Sequence, residues 1–335
     1  MNFSNGLETK LEFLRKPESY PEAPSRVETI ETHMSWVFLT ERYAYKLKKP
    51  VRYDFLDFST IEARHADCTA ELSLNRRLAP DVYLEMVPLM LDTEGRLHLD
   101  EWGEAIDWLV KMRRLPGERM LDRLIGTGGV EPGDIRRLAQ LLVAFYRGCP
   151  PLEITAQQYR QQLQANVQTN RHELMLPAYG LPPYQIEAIH AAQLGFLQHE
   201  AGLFEQRAGR VVEGHGDLRP EHVCLEASPV VIDCLEFKRE FRILDAADEL
   251  AFLAMECERL GAPQVGRMVF DTYTAITGDT PPPKLIDFYK SCRACLRAKL
   301  AVWHTRDHEV PDHAKWLGRA REYLALAEAY IARTQ

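Results

Sequence analysis

The pattern of apolar and polar positions divides the chain into a strand-rich first third and a helical remainder. Leu7 to Leu14 has the spacing of a short amphipathic helix, closed by Pro17 and the prolines at 21 and 24. Trp36 to Leu39 is β-branched and aromatic. Tyr43-Ala-Tyr-Lys-Leu-Lys48 alternates apolar and polar, with Thr40-Glu-Arg42 as the turn between two strands. Ser59-Thr60 caps a helical run that extends to Leu78 and is stopped by Pro80. Leu84–Leu91, Asp92-Thr-Glu-Gly95 and Arg96–Leu99 read as a hairpin. Ile106, Trp108, Val110 and Met112 alternate with Asp107, Leu109, Lys111 and Arg113, which predicts a half-buried strand.

Beyond Met112-Arg-Arg-Leu-Pro-Gly117 the period changes to that of helices. Ile135, Leu138, Leu142 and Phe145 form one stripe, ended by Gly148 and Pro150. Gln157–Leu176 is Gln-rich and weakly amphipathic, and Ile186 to Leu203 forms one long stripe. Leu250, Ala254, Cys257 and Leu260 mark a further helix. Leu285 to Leu300 and Leu317 to Ile331 mark the last two. The expected organisation is therefore a β-rich lobe over residues 1–113 and a helical lobe over 114–335.

One stretch departs from both periods. Glu213-Gly-His-Gly-Asp-Leu-Arg-Pro-Glu-His-Val-Cys-Leu225 is followed by Pro229-Val-Val-Ile-Asp-Cys-Leu-Glu-Phe237. Asp217 sits in a loop after His215-Gly216, and Asp233 ends a short β-run. Two carboxylates so placed suit phosphoryl transfer, in which one orients a hydroxyl and accepts its proton while the other holds a divalent cation on nucleotide phosphates. In the kinase pattern H-R-D-L-x-x-x-N, the metal-binding Asn follows the Asp by five residues. Here that position is His222.

At these residues the chain resembles the aminoglycoside phosphotransferase-like kinases, whose signature is H-G-D-L-H-P-x-N followed by I-D. The fuller form I-D-x-x-E-F, matched by Ile232 to Phe237, is similar to a poorly characterised bacterial branch that is sometimes fused to a P-loop kinase domain. No G-x-x-x-x-G-K-[ST] occurs in this sequence, so a P-loop partner domain is expected in relatives rather than among these residues. The resemblance covers about residues 30 to 260. It implies an α+β, bilobal protein-kinase-like fold, with a small mixed β-sheet lobe and a larger helical lobe.

The resemblance also implies roles. Asp217 becomes the catalytic carboxylate, and Lys46 the phosphate-binding lysine, with Lys48 a second candidate on the same strand face. Glu71 becomes the glutamate that orients Lys46, although its charge pattern also fits a surface acid. Met112 and Arg114 fall in the hinge that receives the adenine edge. Asp233 would bind metal. His222 would ligate Mn²⁺, bind phosphate directly or mark a crippled kinase, because Mg²⁺ prefers oxygen and imidazole suits softer metals. Glu236 is either an added oxygen ligand or a structural acid. The implied cofactors are ATP with Mg²⁺ or Mn²⁺, and the implied partner is a small-molecule hydroxyl acceptor. Glu256 and Glu258 either attract a cationic acceptor or are solvated surface acids. The alternative function is a catalytically impaired nucleotide- or partner-binding pseudokinase module. A protein kinase is disfavoured, since no D-F-G to A-P-E segment is present.

Composition narrows the partners. With 41 basic and 49 acidic residues in 335, the formal charge of −8 argues against nucleic-acid binding. The 46% hydrophobic content suffices for a sizeable core, and no stretch approaches a membrane span. The N-terminal Met-Asn-Phe-Ser-Asn-Gly-Leu-Glu lacks a signal-peptide pattern. The seven scattered cysteines do not suggest a disulfide framework, so a cytoplasmic location is expected. Cys292-Arg-Ala-Cys295 has no second C-x-x-C and sits in an apolar helical pattern, which reads as core.

Overall fold

Tyr45 and Leu47 face one way from their strand and Ala44, Lys46 and Lys48 the other, and this period of two builds both sides of the sheet that holds the lysines. A computed structural model describes residues 6–53, 56–99, 102–150, 152–306 and 312–334. The first five residues of the N-terminal stretch read above lie outside it. The chain divides into two compact units, Met1–Arg123 with His222–Phe241, and Leu124–Glu221 with Arg242–Gln335.

The first unit opens with helix α1 (Leu7–Leu14), then strands β1 (Glu28–Glu31), β2 (Ser35–Leu39), β3 (Tyr43–Lys48), β4 (Arg52–Tyr53) and β5 (Leu56–Asp57). Helix α2 (Ile61–Asn75) follows, then β6 (Tyr83–Leu91), β7 (Leu97–His98) and β8 (Glu104–Arg113). Six strands form one sheet in the order β1-β2-β3-β8-β6-β7. Every pairing in it is antiparallel, not mixed as expected.

Both faces of the sheet are covered. Leu11 and Leu14 of α1 pack with Phe38, Tyr45, Leu47, Leu89 and Leu109 on one side. On the other, Cys68 of α2 packs with Ala44, Val82, Tyr83, Val110 and Met112. The strand expected to be half-buried is therefore buried on both faces. Its Asp107 is tolerated because Arg64 donates to both carboxylate oxygens, at 2.8 and 3.0 Å, and Lys10 adds a bond of 2.7 Å.

Helices α3 (Leu121–Thr127), α4 (Pro132–Gly148), α5 (Ala156–Leu174), α6 (Pro183–His199) and α7 (Ala201–Arg207) come next. The long stripe from Ile186 to Leu203 is thus two helices, broken at Glu200. Strand β9 (Val211–Glu213) pairs antiparallel with β12 (Ile243–Asp245), while β10 (Val223–Cys224) and β11 (Val230–Val231) form a hairpin that belongs to the first unit. The chain ends with α8 (Ala246–Arg259), α9 (Pro263–Thr277), α10 (Pro283–Trp303) and α11 (His313–Ala332). Helix α9 had no counterpart in the sequence reading. Residues Ala246 to Cys257 of α8 are all buried, which makes it the central helix of the second unit.

Among the described residues no helix is long and apolar enough to cross a membrane. All seven cysteines are free. Burial raises the Cys292 thiol well above its ordinary value and pushes Cys295 up to about 12, as expected of core rather than redox or metal-binding thiols.

Candidate active site

Strand β3 and helix α2 bring the first set of candidates together. Glu71 is fully buried, and its two oxygens divide between two lysines: Oε1 accepts from Lys46 Nζ at 2.9 Å, and Oε2 lies 2.5 Å from Lys48 Nζ. Glu71 is therefore not a surface acid. Lys46 Nζ also donates to Asp233 Oδ1 at 2.8 Å, which joins the lysine strand to the segment after β11.

The two lysines differ in access. The Lys46 side chain is 14% exposed and borders the half-exposed Asp233 carboxylate. The Lys48 side chain is 1% exposed and enclosed by Asp67 (2.8 Å), Glu71 and Glu236. Of the two lysines, only Lys46 keeps part of its side chain at the surface.

Asp233 adopts φ +62°, the left-handed region, which for a residue with a side chain costs of order 1–3 kcal/mol and persists only where surroundings hold it. Its N–H donates to Tyr83 Oη at 3.1 Å. The next N–H, of Cys234, donates to Asn75 Oδ1 at 2.8 Å. Burial would raise the Asp233 carboxyl, but Lys46, His222 and Lys48 hold it well below the usual carboxylate range. His222 Nε2 lies 3.5 Å from Asp233 Oδ2, so the position that carries Asn in kinases does face this carboxylate.

Glu236, by contrast, is turned to Lys48, with its carboxyl pushed up to about 7 by burial against the pull of that lysine. Near the end of β8, an interior strand, Met112 is buried in the core. The N–H groups of Arg113 and Arg114 are taken by the carbonyls of Val82 and Arg42, and the Arg114 guanidinium by Thr40. Arg114 N–H is therefore not open to a base edge, a departure from the expected hinge role.

The Asp217 loop lies in the second unit and is built on the β9–β12 pair. Glu249, on the first turns of α8, takes the place of a strand partner: its Oε1 accepts from the N–H groups of His215 (2.8 Å) and Gly216 (2.6 Å). Tyr146 Oη donates to its other oxygen at 2.9 Å. This clamp explains two glycines. A Cβ at Gly214 would sit 2.9 Å from both Glu249 oxygens, and Gly216 has φ +87°. His215 is buried and its Nδ1 accepts from Asp217 N–H at 3.3 Å, a loop-bracing role. The Asp217 carboxylate accepts from Arg219 Nε at 2.9 Å.

Glu249 and Arg219 were not found from the sequence, nor were Asp67 and Asn75. The i, i+4, i+8 spacing of Asp67, Glu71 and Asn75 on one helix was the available signal. Glu256 and Glu258 are paired within the fold rather than freely solvated surface acids. Glu256 is buried and accepts from Arg259 (2.7 Å), Arg297 (3.0 Å) and Tyr323 (2.8 Å). Glu258 accepts from Lys290 and Tyr330, both at 2.5 Å.

No family model matches the chain. It is 34% identical over 283 residues to uncharacterized proteins of Mycobacterium bovis and Mycobacterium tuberculosis, an alignment that takes in 82% of this chain and 54% of each relative. The chain thus spans about half the length of the curated relatives it matches. Among solved structures it is similar to the GDP complex of aminoglycoside 2'-phosphotransferase-IIIa (TM-score 0.59, 14% identity, 97% of this chain and 99% of that one). It is also similar to a choline/ethanolamine kinase family protein from Mesorhizobium loti (TM-score 0.54, 15% identity, 97% and 99%). The fold is therefore the bilobal one of the aminoglycoside phosphotransferases and choline kinases, an N-terminal antiparallel sheet followed by a largely helical lobe.

Proposed function

We propose that this chain is an ATP-dependent phosphotransferase that adds phosphate to a hydroxyl of a small molecule. The observation that carries the reading is Lys46, whose partly exposed side chain holds its ammonium between buried Glu71 and left-handed Asp233. In this reading Lys46 holds nucleotide phosphates and Glu71 fixes its direction.

Asp233 and His222 would hold the divalent cation. Their donor set, one carboxylate and one imidazole, fits Mn²⁺ better than Mg²⁺, with phosphates and water to complete the shell. The cation supplies neutralisation of phosphate charge. Asp217, held in its loop by His215 and the Glu249 clamp, orients the acceptor hydroxyl and accepts its proton. The structural neighbour that bears GDP supports a nucleotide ligand, and choice between ATP and GTP belongs to the same test.

His222 in the asparagine position favours a second reading, a nucleotide-binding module without turnover. Asp217→Asn separates the two. In an enzyme it keeps the nucleotide-induced rise in melting temperature and loses phosphorylation, or slow ATP hydrolysis, by about 10²-fold or more. Wild type that binds nucleotide without any turnover establishes the binding module. Equal turnover in wild type and Asp217→Asn ends the role given to Asp217.

A further inference from the structure

Of the buried charges around Lys48, Asp67 and Glu236 have no part in that reading, yet Glu236 lies three residues after Asp233 on the same segment. Lys48 Nζ meets Asp67 Oδ2 at 2.8 Å, Glu71 Oε2 at 2.5 Å and Glu236 Oε1, with the Phe58 ring centroid 5.5 Å away. Asp67, Glu71 and Glu236 are close enough together to suggest a metal cage, but an ammonium already stands among them. A cation site for solvent ions is therefore not what the cluster provides.

What it provides is a tether. Helix α2 presents Asp67, Glu71 and Asn75 along one face, and the segment 233–236 lies on that face. Asn75 Oδ1 takes the Cys234 N–H at the near end, and Lys48 takes the Glu236 carboxylate at the far end while ion-paired with Asp67 and Glu71. The left-handed residue Asp233 stands immediately before the segment so held. Asn75 also donates to the Glu71 carbonyl at 2.9 Å, so its orientation is fixed from the helix itself.

We propose that Lys48 and Glu236 are positioning residues that fasten the segment after Asp233 to α2, and thereby hold the Asp233 carboxylate in the conformation that takes the divalent cation. Glu236 acts through Lys48 and does not touch the ion. The inference rests on the phosphotransferase reading of Asp233.

The test titrates Mn²⁺ at fixed ADP and reads the rise in melting temperature, with circular dichroism as the check of folding. Glu236→Gln keeps the side-chain size and removes the charge on the tether, and should raise the half-saturating Mn²⁺ concentration tenfold or more. Lys48→Met should raise it in the same direction. Glu236→Gln keeps the test open if the lysine variant does not fold. Lys10→Met, which loosens a buried ion pair elsewhere in the same unit, should lower the melting temperature and leave half-saturation within twofold of wild type.

Half-saturation unchanged in a folded Glu236→Gln overturns the proposal. So does tighter Mn²⁺ binding in Lys48→Met, the outcome expected if Glu236 were itself a ligand released from the lysine. An equal shift in Lys10→Met also overturns it, as an effect of stability alone. Wild type that responds to no nucleotide–metal combination removes the phosphotransferase reading, and this inference with it.

Discussion

Replacing each of the two lysines by methionine should separate their roles, because the carboxylates they leave behind differ in surroundings. In Lys46→Met, Glu71 keeps Lys48 at 2.5 Å, and Asp233, 45% exposed, turns to water and His222. The loss is then that of a charged hydrogen bond, about 1.5–3 kcal/mol, toward the lower figure because Asp233 is solvated. Lys48→Met leaves Asp67, Glu236 and one oxygen of Glu71 without their cation in a site closed to water, which costs about 3–5 kcal/mol. At about 3–4 °C per kcal/mol for a unit of this size, Lys46→Met should melt about 5–10 °C below wild type and Lys48→Met about 10–20 °C below. The nucleotide response should run the other way. A ligand at a hundred times its Kd adds about 2.7 kcal/mol, which is about 8–10 °C in wild type, and Lys46→Met should lose most of it at any metal concentration. Scanning fluorimetry with and without ATP and Mn²⁺ reads both quantities. A full nucleotide shift in Lys46→Met, or a larger baseline loss there than in Lys48→Met, would refute the assignment.

His222→Asn should move metal preference from Mn²⁺ toward Mg²⁺ in the nucleotide-dependent melting shift, and an unchanged preference would mean that His222 does not meet the ion. Burial pushes the Lys299 ammonium down to about 8 from its ordinary 10.5, against the pull of Glu173. Its neutral form is thus favoured by folding, and the full stability belongs above pH 10.5 and is lost as pH falls toward 8. Lys299→Met should therefore gain up to about 3 kcal/mol at pH 7 in urea melts, with the gain shrinking between pH 8 and 10.5; a constant gap contradicts this. In helix α9 a Cβ on Gly266 would lie 2.6 Å from Ala254 Cβ and 2.9 Å from its Cα, whereas Gly318 in α11 has open space. Gly266→Ala should destabilise, since about 1–3 kcal/mol of overpacking exceeds the roughly 1 kcal/mol gain in helix propensity, while Gly318→Ala should stabilise by up to about 1 kcal/mol. Two changes of the same sign by calorimetry would show that packing between α8 and α9 does not decide the outcome.

Local chemistry wrote much of the fold into the sequence. The alternation of Tyr43 to Lys48 is enough to put Lys46 and Lys48 on one face, and Thr60 before an apolar period is enough to start α2, where its hydroxyl accepts from Ala63 N–H at 3.2 Å. The turn residues after Glu213 likewise mark the loop that carries Asp217. These are properties of neighbours in the chain, so the chain order records them. Partnership between distant buried charges is not such a property. Nothing local distinguishes Glu71, which binds two lysines, from a surface acid. Nor does anything local make Glu249 the clamp of the Asp217 loop, 33 and 34 residues away from its partners. The same limit hid the choice between Lys46 and Lys48, which differ by two positions on one strand face. Only the approach of the segment 233–236 to α2 closes Lys48 off behind Glu236 while Lys46, beside Asp233, keeps part of its side chain exposed, because desolvation depends on what packs from elsewhere in the chain.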